Sequence, residues 1–195
     1  MMHTLDAEYW NRRYLENDFG WDAGAVTTPL KNYFDQLTNK NLRMLIPGAG
    51  NAYEAEYLVN HGFTNVSVCD LAEQPLLNLK QRCPAFEEEH LLHIDFFKLQ
   101  GEFDLIVEQT FFCALDPALR PAYFKKMHAL LKPGGRLVGV LFNDALNNNR
   151  PPFGGSRQEY EAYFKGSFHP KVFEACTSSI KPREGRELFM ILEKN

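Results

Sequence analysis

The chain has 195 residues, too few for two ordinary domains and enough for one whose core buries roughly 70% of the unfolded surface. Apolar residues make up 45% and charged residues 24%, which excludes a disordered tail protein and a coiled coil. The net charge is −4, with 21 Lys and Arg against 25 Asp and Glu. There is no basic stripe, so neither nucleic acid nor an anionic membrane is expected as a partner.

Met1–Asp6 shows no basic stretch leading into an apolar run, so no secretory leader is expected. No apolar run approaches the roughly 18 residues of a membrane span. Residues 6–16 and 30–37 read as helices ahead of the first strand, with Trp10 and Trp21, the only tryptophans, in this segment. Strands are expected at 42–46, 66–70, 91–94, 103–107 and 136–142, short runs whose length and composition suit burial. Helices are expected between them. One covers 53–61 with Gly62 as its stop, and one covers 73–81 with Pro75 in the first turn. A third covers 121–131 and is stopped by Lys132-Pro133-Gly134-Gly135.

Alternation at this period implies an α/β, Rossmann-like, doubly wound, mostly parallel sheet in a single domain over 1–195. Residues 147–155 are the one loop-rich stretch. Residues 172–178 and 187–193 read as strands, and the seven residues at 180–186 are too few for a helical crossover. The last pair should therefore be antiparallel. Cys69, Cys83, Cys113 and Cys176 form no Cys-x-x-Cys pair, so no metal site or disulfide framework is indicated. A reduced, cytoplasmic enzyme, monomeric or weakly dimeric, is the default expectation.

Ile46-Pro47-Gly48-Ala49-Gly50 ends the first strand and opens a helix. Glycines there let backbone approach a ligand closely, and the helix start favours negative groups. Two such glycines recur by chance in a chain with 13 of them. The weight comes from Asp70, which ends the second strand 20 residues after Gly50, where a ribose-binding acid belongs. Tyr53 stands where a dinucleotide fingerprint has its third glycine, so a ligand with a ribose but no pyrophosphate fits better. Asp95-Phe96-Phe97 reads either as an adenine contact or as a strand-end cap with two core rings. Glu108-Gln109-Thr110 ends the fourth strand, where open sheets bind ligands. Trp10 and Trp21 are either core residues or faces over a cation such as a sulfonium.

Together these residues resemble the thiopurine S-methyltransferase family, and within it the thiol and halide methyltransferases. The matching pieces are Tyr9-Trp10, Gly20-Trp21-Asp22-Ala23-Gly24 with Pro29, the Gly48-Ala49-Gly50 loop, Asp70-Leu71 and Asp95-Phe96-Phe97. They continue with Thr110 to Pro117, Leu131 to Gly135, and Pro151-Pro152-Phe153. The resemblance implies a seven-stranded sheet with an antiparallel C-terminal hairpin and S-adenosylmethionine as cofactor. It implies cofactor contacts by Trp10, Trp21, Gly48, Ala49, Gly50, Asp70, Leu71, Asp95, Phe96 and Glu108, with residues 1–40 as a helical cover. Gln109, Pro152 and Phe153 would face a small-molecule acceptor. Gln109 departs from the Tyr of thiol and halide enzymes and from the Arg of thiopurine enzymes, and Glu108 replaces a frequent Asp.

Methyl transfer from a sulfonium asks mainly for alignment and exclusion of water. Glu108, His128 and His169 are the candidate bases, none fixed in place by the sequence. That weak signal favours a thiol, a halide or a related soft nucleophile. Among the alternatives is a non-catalytic domain that binds the cofactor or a protein partner. Amine methylation of nucleic acid is suggested by Asn149 and Pro151-Pro152-Phe153, but Arg150 interrupts that motif. A nicotinamide-dependent dehydrogenase is disfavoured by Tyr53.

Overall fold

The computed structural model describes residues 4–195; Met1–His3, the start of the segment read as carrying no leader, lie outside the described residues. Helix α1 (Ala7–Leu15) starts on Asp6, whose carboxylate accepts the Tyr9 N–H at 2.9 Å. Helix α2 (Thr28–Phe34) carries Pro29 in its first turn, where a missing N–H costs nothing. The alternating unit follows as β1 (Met44–Pro47), α3 (Tyr53–Asn60), β2 (Val66–Asp70), α4 (Gln74–Arg82) and β3 (Leu91–His93). Then come β4 (Phe103–Gln109), α5 (Arg120–Leu130), β5 (Leu131–Phe142), α6 (Arg157–Phe164), β6 (Phe168–Ala175) and β7 (Glu187–Lys194).

These strands form one seven-stranded sheet in the order β3-β2-β1-β4-β5-β7-β6. Strands β1 to β5 pair in parallel, and β7 runs antiparallel to both β5 and β6. The doubly wound sheet with an antiparallel C-terminal hairpin is therefore present. Period-two alternation divides β4 between two cores: Leu105 and Val107 face one side with Met44, Ile46 and Val68. Ile106 faces the other with Leu45, Tyr123, Met127 and Leu137. Because both faces are covered, β1 is buried at every position and reads as an unbroken apolar run.

Three local features differ from the expectation. Helix α6 was not legible, since only Tyr160 and Phe164 of its eight residues are buried. Its start is fixed by Ser156, whose Oγ accepts the Glu159 N–H at 3.3 Å. Strand β6 begins at Phe168 and ends at Ala175, earlier at both ends than expected. Pro170 is tolerated there because β6 is an edge strand with a register shift between Pro170 and Val172. Helix α5 stops at Leu130, and Lys132-Pro133-Gly134-Gly135 falls inside β5, where the pairing with β4 shifts register.

Strand order reverses between β1 and β4, which are neighbours while their helical connections leave to opposite sides. The crevice outside the carboxyl ends of these strands is where open sheets bind ligands. Among the described residues no helix is long and apolar enough to cross a membrane. The close approach of β5 to β4 depends on Gly139, where a Cβ would lie 2.1 Å from the backbone oxygen of Glu108. Gly139→Ala is expected to lower stability by at least about 2 kcal/mol, because a backbone atom cannot swing away. Urea denaturation measures this, and an unchanged midpoint would show that the strands separate easily.

Candidate functional site

A cavity of about 480 Å³ lies outside the carboxyl ends of β1 to β4. Its floor is the loop after β1, in which Gly48, Gly50 and Ala52 all take positive φ, at 55°, 53° and 53°. Glycine is required at 48 for a second reason: a Cβ there would lie 2.0 Å from Cδ2 of Phe111. The loop's N–H groups are largely engaged within the protein. Ala49 donates to the Cys69 carbonyl, Gly50 to Asp70 and Ala52 to the Ala49 carbonyl. Little donor capacity is left for a pyrophosphate, and the Tyr53 side chain lines the cavity with the Arg82 guanidinium over its ring.

Asp70 sits at the end of β2 with one carboxylate oxygen on Gly50 N–H at 3.3 Å and the other on Ala72 N–H at 2.9 Å. These bonds hold the group rigidly while it still lines the cavity with Leu71. Burial pushes its pKa up to about 6. Beyond β3, Asp95 combines both readings of its motif. One oxygen caps the turn Phe96–Lys98 by accepting the Phe97 N–H at 2.9 Å, and the residue also lines the cavity. Phe96 is a core residue, edge-on to Phe97 and Phe111, that still borders the cavity.

Glu108 departs from its expected place. It does not line this cavity, and none of it is exposed. One carboxylate oxygen accepts the N–H groups of Phe111 at 2.8 Å and Phe112 at 2.9 Å, and the other accepts the Tyr123 hydroxyl at 2.6 Å. Burial pushes its pKa up to about 7. Its bonds go to the turn after β4 and to Tyr123 of α5, and it does not border the cavity as expected of a cofactor contact or a base. The other two candidate bases are elsewhere as well: His128 packs on the Phe168 ring and His169 is exposed on edge strand β6.

The remaining expected residues meet in the cavity. Gln109 lines it, with Oε1 accepting the Thr27 hydroxyl at 3.0 Å and Nε2 buried without a hydrogen-bond partner. Pro152 and Phe153 border it from a loop anchored twice. Phe153 N–H donates to the Cys113 carbonyl at 2.7 Å, and the Arg120 guanidinium donates to the Gly154 carbonyl at 2.7 Å. Trp10 and Trp21 line the opposite wall in edge-to-face contact, ring centres 5.6 Å apart, with Arg13 over the Trp21 ring.

The structure adds residues that the sequence reading missed. Tyr14 is buried beside Trp21 and lines the cavity. Glu54, in the first turn of α3, is 5% exposed and lines the same cavity. Burial pushes its pKa up to about 7, against the pull of N–H groups from Glu54 itself and Thr27. Arg183, in the turn Lys181–Arg183, donates through Nη2 to the Trp21 carbonyl at 2.6 Å. Its Nη1 is buried, lies 3.6 Å from the Glu187 carboxylate and makes no hydrogen bond. Only the position of Glu54 just after the glycine loop could have marked it in sequence. Nothing local marks Arg183.

The sequence model described as thiopurine S-methyltransferase matches residues 5–194. A probable thiol methyltransferase 2 of Arabidopsis thaliana is 28% identical, covering 96% of this chain and 87% of the relative. Thiocyanate methyltransferase 1 of Brassica oleracea is 26% identical, covering 94% and 84%. Among solved structures, the 1,6-didemethyltoxoflavin-N1-methyltransferase of Burkholderia thailandensis, with bound S-adenosylhomocysteine, superposes with a TM-score of 0.78. It is 19% identical and covers 97% of this chain and 87% of its own, a likeness of fold.

If Glu108 holds the turn as an acceptor, Glu108→Ala leaves three buried donors unmet and should cost about 2–4 kcal/mol of stability. Glu108→Gln should cost about 1 kcal/mol, since one oxygen keeps both N–H groups and the Tyr123 hydroxyl can turn to accept. Chemical denaturation of both variants decides. Equal losses would mean that the charge, not the acceptor geometry, holds the turn.

Proposed function

We propose a small, soft nucleophile, a thiol, a halide or thiocyanate, as the methyl acceptor of this protein. The chain belongs to the thiopurine S-methyltransferase family and is an S-adenosylmethionine-dependent methyltransferase. The observation that carries the choice of acceptor is the apolar wall beyond Gln109, where Phe111, Cys113, Leu115, Pro152 and Phe153 line the cavity. Aromatic, thiol and proline surfaces of this kind suit a small polarisable atom. Methylation of thiols and thiocyanate by the named plant relatives agrees with this.

The residues fit the cofactor. Asp70 and Asp95 present acceptors at two neighbouring strand ends, suited to ribose hydroxyls and an adenine amine. Gly48, Ala49 and Gly50 offer a floor with almost no side chain, and Leu71 and Phe96 give apolar cover. When bound, S-adenosylmethionine supplies an activated methyl group on a sulfonium. Trp10 and Trp21 close the wall with aromatic faces that suit a cation. Gln109 borders the acceptor's place, while Pro152 and Phe153 exclude water from its far side. Positioning of this kind can supply about 7–11 kcal/mol of a barrier. Four buried, unpaired cysteines fit a reducing compartment such as the cytoplasm.

Calorimetric titration should give micromolar binding of S-adenosylhomocysteine and none of NAD. Asp70→Ala should weaken that binding by about 1–3 kcal/mol through unmet ribose hydroxyls. Affinity should also fall as pH drops through about 6, where Asp70 takes up a proton and loses acceptor capacity. Unchanged binding in the variant would remove Asp70 from the site. Methylation of thiocyanate, iodide and alkanethiols by the wild-type protein tests the acceptor class.

A further inference from the structure

We propose that Glu54 is the proton acceptor for neutral thiols, set in the same cavity as Gln109 and Arg183. The inference rests on the acceptor class given above. None of the residues expected to serve as base reaches the cavity, whereas Glu54 lines it. Helix α3 starts directly after the glycine loop, so its first turn carries this carboxyl to the cavity floor. The backbone N–H groups of Thr27 and Glu54 hold the carboxyl, and no cation is bonded to it. Facing it are Arg183 from the turn before β7 and Asp22 from the N-terminal segment. Gln109 is tied to the same segment through Thr27. A carboxyl and an apolar, water-excluding wall therefore share one enclosure.

The step balances within that enclosure. The acceptor's S–H bond breaks, its proton passes to a Glu54 carboxylate oxygen, and the electron pair stays on sulfur. That pair forms the new S–CH₃ bond while the methyl's old bond breaks, its electrons leaving on the donor's sulfur, which becomes neutral. Glu54 returns the proton to water once product has left.

An ionised Glu54 helps an acceptor that carries a proton and repels one that is already an anion. Its carboxyl is pushed up to about 7, so it is ionised above that pH and neutral below it. The two acceptor classes should consequently show opposite slopes through neutrality. Between about pH 6 and pH 8, kcat/KM of the wild-type protein should rise for propanethiol and fall for thiocyanate, which has no proton to lose in this range. Glu54→Gln should lower kcat/KM for propanethiol by about 100-fold or more and raise it for thiocyanate, abolishing the thiocyanate slope.

A readout without turnover comes from the enzyme filled with S-adenosylhomocysteine. Bound propanethiol should show the ultraviolet thiolate band at a pH where the free thiol is protonated, and Glu54→Gln should remove it. Parallel slopes for the two acceptors, or a thiolate band that persists in the variant, would overturn the assignment. So would loss of S-adenosylhomocysteine binding in Glu54→Gln, which would give the carboxyl to the cofactor. A wild-type protein that binds S-adenosylhomocysteine yet methylates neither compound would instead refute the acceptor class itself.

Discussion

The cavity depends on a carboxylate that never touches it. Glu108 gathers two backbone N–H groups and the Tyr123 hydroxyl, and so fixes the turn by which the chain leaves β4. Within that turn Thr110 takes a positive φ of 58°, a conformation that costs a β-branched residue free energy and persists only where its surroundings impose it. The turn sets Phe111 against Gly48, which in turn excludes any side chain from the loop after β1. Two loops from adjacent strands are thereby locked together at the point where strand order reverses. Gln109 is the residue between the buried carboxylate and the turn, and its side chain inherits that rigidity.

Within the cavity, the two strand-end acids lie apart from the neighbouring Glu54 and Arg183. Asp70 and Asp95 stand at the ends of β2 and β3, while Arg183 and the Gln109 amide lie toward β4 and the C-terminal hairpin. The glycine loop divides the two ends and has the N–H groups of Ala49, Gly50 and Ala52 engaged within the protein. A ligand that needs many backbone donors finds few, whereas one with hydroxyls and an amine at one end and a cationic centre between aromatic rings finds suitable partners.

The sheet was largely legible because each central strand is a short run of apolar residues buried on both faces, bounded by glycine, proline or an acid. Asp70 was legible for the same reason: strand end and spacing are local facts. Helix α6 escaped because its two buried aromatics, Tyr160 and Phe164, sit among charged residues. The Lys-Pro-Gly-Gly turn reads as a boundary, yet β5 continues through it because β4 pairs with Leu131 on one side and Arg136 on the other. Glu108 was placed one residue wrongly in function, since alternation along β4 points Gln109 into the cavity and Glu108 away from it. Glu54 and Arg183 look in sequence like surface charges on a helix start and a turn. Their burial is decided by residues more than twenty positions distant, as in the Arg183 bond to the Trp21 carbonyl.

The place of β7 in the sheet bears on how the protein is made. This strand, last in sequence order, inserts between β5 and β6 and pairs with both. Arg183 lies in the short turn that leads into it and reaches back to the N-terminal segment at Trp21. On a ribosome, the chain up to β5 can assemble its parallel half from neighbouring units as they emerge. The Arg183 end of the cavity cannot form until Glu187–Lys194 have left the exit tunnel, because until then β6 has no neighbour and Arg183 has no anchor. A nascent chain would thus have the Asp70 and Asp95 end of the cavity in place well before the end bordered by Arg183.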